Sequence, residues 1–220
     1  MEVAGFTYFA LKALGFKVDR IVANALMNRP MENRPPTHLL LVVTVENRTF
    51  LVDPSFGYNM LRYPLEVNFK ETQEVSLTHY EKYQLECHSD YYQLNMWVKD
   101  SWFSLHRFDR PLHPMSDEEV NDCHKFLLET PMRIFIRDLY LTFGRITENG
   151  RVGFHYEPHN PEFTAFKMLV EEDKTTKTFY KDYETLQAEI KEMAGIELPP
   201  FDRLKASDKT KLENAKTLAS

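Results

Sequence analysis

The stretch His38-Leu-Leu-Leu-Val-Val-Thr-Val45, followed by Thr49-Phe-Leu-Val-Asp53, predicts the framework of the fold. Both runs are rich in β-branched and apolar residues, which favour strands. The polar residues 46–48 join them, and so short a connection indicates an antiparallel hairpin with a three-residue turn. Because such a hairpin brings the outer ends of its two strands together, we expect His38 and Asp53 to be neighbours.

A histidine beside an aspartate is the arrangement that a general base and its orienting carboxylate require. Asp53 would keep one imidazole nitrogen protonated and would stabilise the imidazolium, which leaves the other nitrogen of His38 to take a proton from a nucleophile. The same spacing also fits a surface histidine that opens a strand and an aspartate that caps a turn. The spacing by itself leaves both interpretations open.

The segments around the hairpin predict an α+β fold. Residues 65–110 alternate polar and apolar positions over short stretches, which is typical of an antiparallel sheet or barrel wall. Residues 1–15 have a helical pattern that stops at Gly15. The apolar face expected for this helix consists of Phe6, Phe9, Ala10, Ala13 and Leu14.

Two further helices are marked by their end signals. A capping box that begins at Ser116 predicts a short helix toward Leu128. Apolar residues three and four apart predict an amphipathic helix that starts near Asp182 and stops at Gly195. Between these helices, residues 132–145 and 151–156 have strand character.

Composition and charge exclude several functional classes. The chain has 220 residues, 43% of them hydrophobic, which is enough for one domain or two small ones. The formal net charge of -6 and the lack of basic runs argue against a nucleic acid or an acidic membrane as partner. The longest aliphatic run, residues 39–43, is too short to span a bilayer, and residues 1–4 do not look like a signal peptide. We therefore expect a cytoplasmic protein.

The cysteine, histidine and glycine patterns argue against a disulfide framework, a metal and a nucleotide triphosphate. The two cysteines, Cys87 and Cys123, do not form a CxxC pair, and the eight histidines show no HExxH motif. No glycine-rich phosphate loop is present among the seven glycines. We predict no metal site.

The hairpin and the residues before it resemble the arylamine N-acetyltransferase family. The segments Thr37-His-Leu-Leu-Leu-Val-Val and Phe50-Leu-Val-Asp-Pro-Ser-Phe-Gly57 look like its histidine and aspartate blocks. The opening Met1-Glu-Val-Ala-Gly-Phe6 is similar to the helix after the family's catalytic cysteine, with Glu2 at the family's glutamate. On this alignment the cysteine falls one residue before Met1. We therefore expect a chain truncated just after that cysteine, with most of the N-terminal helical bundle missing.

The resemblance implies a cysteine-protease-like Cys-His-Asp architecture and a ping-pong reaction. Acetyl would pass from acetyl-CoA through a cysteine thioester to an arylamine or hydrazine, as in xenobiotic metabolism. His38 would be the general base and Asp53 its orienter. Phe56 would face the substrate ring, and Thr37 and Gly57 would line the same cleft. In the family's Gly-Phe-Gly turn, the first glycine is Ser55 here.

The implied architecture has four parts: a remnant of the helical domain at 1–15, an antiparallel β-barrel at 16–155 with His38 and Asp53, an α/β lid at 156–200, and a frayed tail at 201–220. The sequence makes no prediction of the oligomeric state. Neither Cys87 nor Cys123 is predicted at a helix N-terminus facing His38, so the chain as given is expected to be inactive.

Two alternatives stay open at this point. The chain would otherwise be a non-catalytic relative that binds CoA or a protein partner. A transglutaminase or papain-like hydrolase would share the triad logic, but the residues around His38 and Asp53 do not support it.

Overall fold

The computed structural model describes residues 2–31, 36–59, 61–77, 81–129, 141–148, 150–157, 164–172 and 174–198. It divides into two units, Met1–Lys125 and Phe126–Ser220. The elements up to residue 129 are α1 (Glu2–Ala13), β1 (Lys17–Ala25), β2 (His38–Val45), β3 (Arg48–Val52), a 3-10 turn (Gly57–Asn59), β4 (Leu65–Glu66), β5 (Gln73–Ser76), β6 (Lys82–Cys87), β7 (Tyr91–Val98), β8 (Ser101–Asp109) and α2 (Asp117–Glu129).

The predicted hairpin is confirmed, although its turn is one residue shorter than expected. Val45 pairs with Arg48, so Glu46 and Asn47 form a two-residue turn. Both residues have positive φ, 48° and 65°. Two-residue hairpin turns of this kind match the right-handed twist of the strands, and asparagine tolerates the left-handed region.

The strands of the first unit form one eight-stranded antiparallel sheet in the order β4-β3-β2-β1-β8-β7-β6-β5. This sheet is the nearly closed barrel that the sequence predicts, in an α+β fold. Strand β2 is covered on both faces. Leu40 and Val42 belong to the barrel core, whereas Leu41 and Val43 pack against residues of α1. Burial on both faces explains why the strand has an unbroken apolar run.

Helix α1 packs with a different face from the predicted one. Phe6, Phe9 and Leu14 are 76%, 59% and 74% exposed. Tyr8 and Leu11 instead contact the cluster of Val18, Leu41 and Val43, and Ala4 is fully buried. Residues 4, 8 and 11 are four and three apart, the spacing of a single helical stripe. Gly15 ends the helix as predicted, with a φ of +88°.

The second unit contains a four-stranded antiparallel sheet and one described helix. Its elements are β9 (Leu141–Thr147), β10 (Gly150–Glu157), β11 (Thr164–Glu171), β12 (Lys174–Phe179) and α3 (Tyr183–Ala194), with the strand order β12-β11-β10-β9. The ends of α3 are as predicted. Asp182 accepts a hydrogen bond from the Thr185 N–H at 2.8 Å, and Gly195 adopts a φ of +68°. Leu186 and Ile190 on this helix pack with Phe154 in a separate core.

The division of the chain differs from the expected barrel at 16–155 and lid at 156–200. Strands β9 and β10 pair with each other and with β11, in the sheet of the second unit. An alternating pattern predicts a strand but does not say which sheet it joins. Residues 132–140, predicted as a strand, and the predicted tail at 201–220 lie outside the described residues. None of the described helices is long and apolar enough to cross a membrane.

Candidate active site

The structure brings the two predicted site residues, His38 and Asp53, into direct contact. Nε2 of His38 lies 2.8 Å from Oδ1 of Asp53, and both side chains are buried. Leu41 pairs with Val52, so Asp53 lies diagonally across the hairpin from His38. Because side chains alternate along a strand, His38 shares the inner face of β2 with Leu40 and Val42. Burial excludes a surface histidine, whereas the turn-capping role of Asp53 is also present: Oδ1 accepts from the Ser55 N–H at 3.2 Å.

A second histidine, His106 on β8, completes the site and was missed by the sequence analysis. Its Nε2 lies 2.9 Å from Oδ2 of Asp53, and its side chain is fully buried. The His38 and His106 rings stack with centroids 4.6 Å apart and an interplanar angle of 7°. Asp53 is therefore held between two imidazoles, with one on each oxygen.

Two alanines of β1 allow the rings to meet. Strand β1 lies between β2 and β8, with Ala23 paired to His38 and Ala25 paired to His106. Directly paired residues point to the same face of a sheet. Since the alanine side chains are small, both imidazoles can lean over β1 and stack.

A bulge in β8 sets the direction of His106. Asn95 pairs with Ser104 and Leu94 pairs with His106, so Leu105 is an extra residue on β8. Such an insertion shifts the alternation of side chains by one position. The shift places His106 on the same face as Leu94, which belongs to the barrel core.

The three residues predicted to bind substrate, Thr37, Phe56 and Gly57, are close in sequence to His38 or Asp53. The Phe56 ring is half-buried, with its centroid 4.8 Å from His38 and 4.2 Å from His106. The Thr37 N–H, just before β2, donates to the Ala23 carbonyl of β1 at 3.1 Å. Gly57 opens the 3-10 turn with a φ of +58°, a conformation that favours glycine. Their contacts with substrate stay predictions.

Burial and hydrogen bonding fix the charges of Asp53 and His106. Burial by itself would raise the pKa of Asp53, but the charge of His38 and the hydrogen bonds from His106 and His38 hold it below its usual range. Burial, together with the charge of His38, lowers the pKa of His106 to about 4 in spite of Asp53. Near neutral pH, Asp53 is therefore an anion and His106 a neutral donor.

Among the described residues, one group has potential metal-ligand atoms within 4.8 Å of one another. It consists of His38, Asp53 and His106. An imidazole nitrogen binds a metal through a lone pair in the plane of its ring. The two rings lie in stacked, nearly parallel planes, so their lone pairs do not converge on one point. This arrangement suits a shared carboxylate better than a shared metal ion.

Neither cysteine lies on the hairpin that carries the pair. Cys87 ends β6, which is separated from β2 by β1, β8 and β7 in the sheet, and Cys123 lies within α2. Burial raises the pKa of both thiols, with nearby acidic side chains adding to the effect at Cys123. Neither thiol has the low pKa of a nucleophilic cysteine.

The family of the chain follows from its sequence. The family model described as N-acetyltransferase matches residues 1–202. The chain belongs to this family. Two curated relatives are arylamine N-acetyltransferases: that of Salmonella typhimurium, also an N-hydroxyarylamine O-acetyltransferase, is 28% identical over 121 residues, and that of Mycobacterium bovis is 34% identical over 123 residues. The family resemblance seen in the sequence is therefore confirmed.

Solved members of this family share the fold. The arylamine N-acetyltransferase of Mycobacterium marinum in complex with CoA superposes with a TM-score of 0.74 at 20% identity, covering 93% of this chain and 73% of the other. The Salmonella typhimurium enzyme gives a TM-score of 0.72 at 20% identity, covering 94% and 73%.

The matched segments are shorter than the relatives. The match to the Salmonella typhimurium relative covers 55% of this chain and 42% of the relative. The match to the Mycobacterium bovis relative covers 54% of this chain and 42% of the relative. The sequence match thus spans less than half of the length of each of these curated relatives.

Proposed function

We propose that this chain provides the general base and its orienter in an acetyl-transfer site, with acetyl-CoA as donor and an arylamine or hydrazine as acceptor. The observation that supports it most is the buried contact of His38 with Asp53 at 2.8 Å. Since the anionic carboxylate accepts a hydrogen bond from the Nε2–H of His38, Nδ1 is the nitrogen available to accept a proton. The relatives named above act on arylamines or N-hydroxyarylamines, and one solved relative was in complex with CoA.

The proposed chemistry balances in two steps. A thiol gives its proton to Nδ1 of His38, and the thiolate attacks the acetyl carbonyl, forming a thioester as CoA leaves with that proton. The amine then attacks the thioester, and its proton returns to the thiol through His38. Asp53 stabilises the imidazolium in each step without taking the proton itself.

Phe56, Thr37 and Gly57 are proposed to contact the acceptor. Phe56 packs on both imidazoles, so a ring bound against its other face would lie next to the base. We further propose that the protein acts in the cytoplasm on small molecules, in xenobiotic metabolism. Cys87 and Cys123 are free thiols, which a reducing compartment would preserve.

The thiol of this reaction is proposed to be neither Cys87 nor Cys123. Residues 1–220 incubated with acetyl-CoA and an arylamine should therefore release no CoA above background, as measured with a thiol reagent. Turnover that is lost when Cys87 or Cys123 is alkylated would contradict this. The observation that favours the alternative, a relative that binds CoA without catalysis, is the raised pKa of both thiols, which a nucleophilic cysteine does not have.

Titration with CoA tests the family function directly. A ligand present at 100 times its Kd stabilises the folded state by about 2.7 kcal/mol, so saturating CoA should raise the Tm by several degrees. Adenosine 3′,5′-bisphosphate, which has the nucleotide part of CoA without its pantetheine arm, is the matched ligand control. No stabilisation by CoA or acetyl-CoA would weaken both acetyl transfer and the CoA-binding alternative, and would favour a hydrolase.

A further inference from the structure

The Asp53 carboxylate has more donors than a base and its orienter need. Oδ1 accepts from Nε2 of His38 and from the Ser55 N–H, and Oδ2 accepts from Nε2 of His106 at 2.9 Å. These three bonds use both oxygens of a side chain that is almost fully buried. A carboxylate held on both oxygens cannot rotate without breaking a charge-assisted hydrogen bond.

The surroundings of His106 determine its tautomer. Its Nδ1 is buried and has no hydrogen-bond partner among the residues that the structure describes. A proton on Nδ1 would be a buried, unsatisfied donor, and the lone pair of Nε2 would then face the anionic Oδ2 of Asp53. The proton therefore belongs on Nε2, where it is hydrogen-bonded.

The stacking of the rings determines where a further proton can go. The His38 and His106 centroids are 4.6 Å apart, and Phe56 contacts both rings. Two imidazolium ions in this position would repel each other across an apolar contact. His106 is the more deeply buried of the two histidines, so its cation is the less stable one.

We propose that His106 is a positioning residue for the His38–Asp53 pair: as a neutral Nε2–H donor it holds Oδ2 of Asp53 and packs flat against His38, so that the proton accepted by the site resides on His38. The proposal rests on the proposed function in that His38 is the base of that reaction. His106 acts through Asp53 and has no direct contact with the acetyl group in this scheme.

A purely structural role would make a different demand on the side chain. A histidine that merely fills space in the barrel could be replaced by phenylalanine, which keeps a ring. A positioning histidine requires its Nε2–H donor, which glutamine supplies at a similar reach and phenylalanine does not. His106→Phe and His106→Gln are therefore matched variants that separate ring volume from hydrogen bonding.

The first measurement needs no variant. Long-range ¹H–¹⁵N spectra of the ¹⁵N-histidine-labelled full chain, recorded from pH 5 to pH 8, report the tautomer and charge of each imidazole. His106 should stay neutral with its proton on Nε2 over this whole range, and His38 should show a proton on Nε2 throughout. The exposed His113 provides a solvent-accessible reference signal in the same spectra. A protonated His106 near pH 7, or one with its proton on Nδ1, would overturn the proposal.

The variants test whether His106 acts on His38. In His106→Phe, the freed Asp53 should let the His38 Nε2 proton exchange with water roughly tenfold faster, the scale of one lost hydrogen bond. In His106→Gln the exchange should stay close to that of the wild type. Equal exchange rates in the wild type and both variants would reject positioning. If His106→Phe does not fold, the tautomer of His38 still provides a test. A His38 proton on Nδ1, in the wild type or in His106→Gln, would reject the proposal.

The result is independent of the CoA titration described above. If CoA does not bind but the spectra are as expected, the acetyl-transfer assignment fails and the His106 arrangement stands. If CoA binds and His106 is charged or carries its proton on Nδ1, the family function stands and the positioning role fails.

Discussion

Two histidine–carboxylate pairs in the first unit have the same geometry and very different surroundings. Nε2 of His38 lies 2.8 Å from Asp53, and Nε2 of His113 lies 2.8 Å from Glu119. Each carboxylate also accepts three hydrogen bonds; those of Glu119 come from His113 and from the N–H and hydroxyl of Ser116. The side chains of the first pair are 8% and 1% exposed, those of the second 66% and 44%.

The difference between the pairs teaches that distance does not identify a chemical site. At the start of α2, water can replace any lost partner, so the His113–Glu119 contact completes a helix cap and little more. Inside the barrel the side chains are shielded from bulk water, so each group depends on its partner for its charge state. The buried pair should therefore respond to substitution, pH and salt in ways that the exposed pair does not.

The largest expected difference comes from removing the carboxylates one at a time. Asp53→Asn replaces an oxygen with an amide N–H₂ group opposite a histidine donor, and it should cost about 3 kcal/mol or more in the free energy of unfolding. Glu119→Gln, the matched change in the exposed pair, should cost far less, because water can replace the lost partner. Urea unfolding of both variants at pH 7 measures this, and equal losses would remove the distinction between the pairs.

The next effect is a pH dependence that belongs to the buried site. The folded-state pKa of His106 is lowered to about 4 from 6.5, so between these values the unfolded chain binds more protons and stability falls as pH falls. The stability from this group is fully present above pH 6.5. About 3 kcal/mol should be lost by pH 4, at 1.36 kcal/mol for each pH unit. Asp53, whose pKa is also lowered, adds its own loss at more acidic pH.

The control for this pH dependence is again a matched pair. His106→Gln removes the titrating group that faces His38 and Asp53, so its stability should change much less between pH 6.5 and 4. His113→Gln should leave the wild-type slope unchanged. Urea midpoints measured at half-unit pH steps decide the matter, and a wild-type slope that persists in His106→Gln would assign it to another group.

The smallest effect is expected for the exposed pair itself. His113→Ala should change the free energy of unfolding by about 0.5 kcal/mol or less, because exposed ion pairs contribute little and salt screens them. Any loss should shrink further in 0.5 M NaCl. A loss above about 2 kcal/mol that salt does not reduce would show that exposure does not separate these two pairs.

The sequence determined those features whose physical causes are local. Residues 38–53 specify their own hairpin, because two strongly strand-forming runs flank a very short polar connection. That hairpin by itself brings His38 to Asp53. The ends of two helices, marked by Ser116 on α2 and by Asp182 and Gly195 on α3, were equally predictable. A helix cap is formed by residues within one turn of the helix end, so its cause is local. The resemblance of residues 37–57 to one family agreed with this local evidence.

Tertiary structure decided the features that depend on distant partners. The face that α1 buries depends on what the barrel offers it, so Tyr8 packs inward while Phe6 and Phe9 do not. Likewise, strands β9 and β10 have an alternating pattern that does not specify their sheet. The contact of Lys167 with Glu189 in the second unit also depends on a distant partner. It joins strand β11 to helix α3, and the two residues are 22 positions apart.

His106 shows the limit most clearly. Phe103 on β8 packs on the barrel core. If side chains simply alternated from there, Leu105 would point inward and His106 would point outward. The bulge at Leu105 reverses that parity, and the small side chains of Ala23 and Ala25 on another strand give the imidazole room to reach Asp53. The proposed base and its orienter, His38 and Asp53, lie in one hairpin, and their contact could be predicted from the sequence. The residue that holds them lies on a strand more than 50 positions away, where register and packing decide its direction.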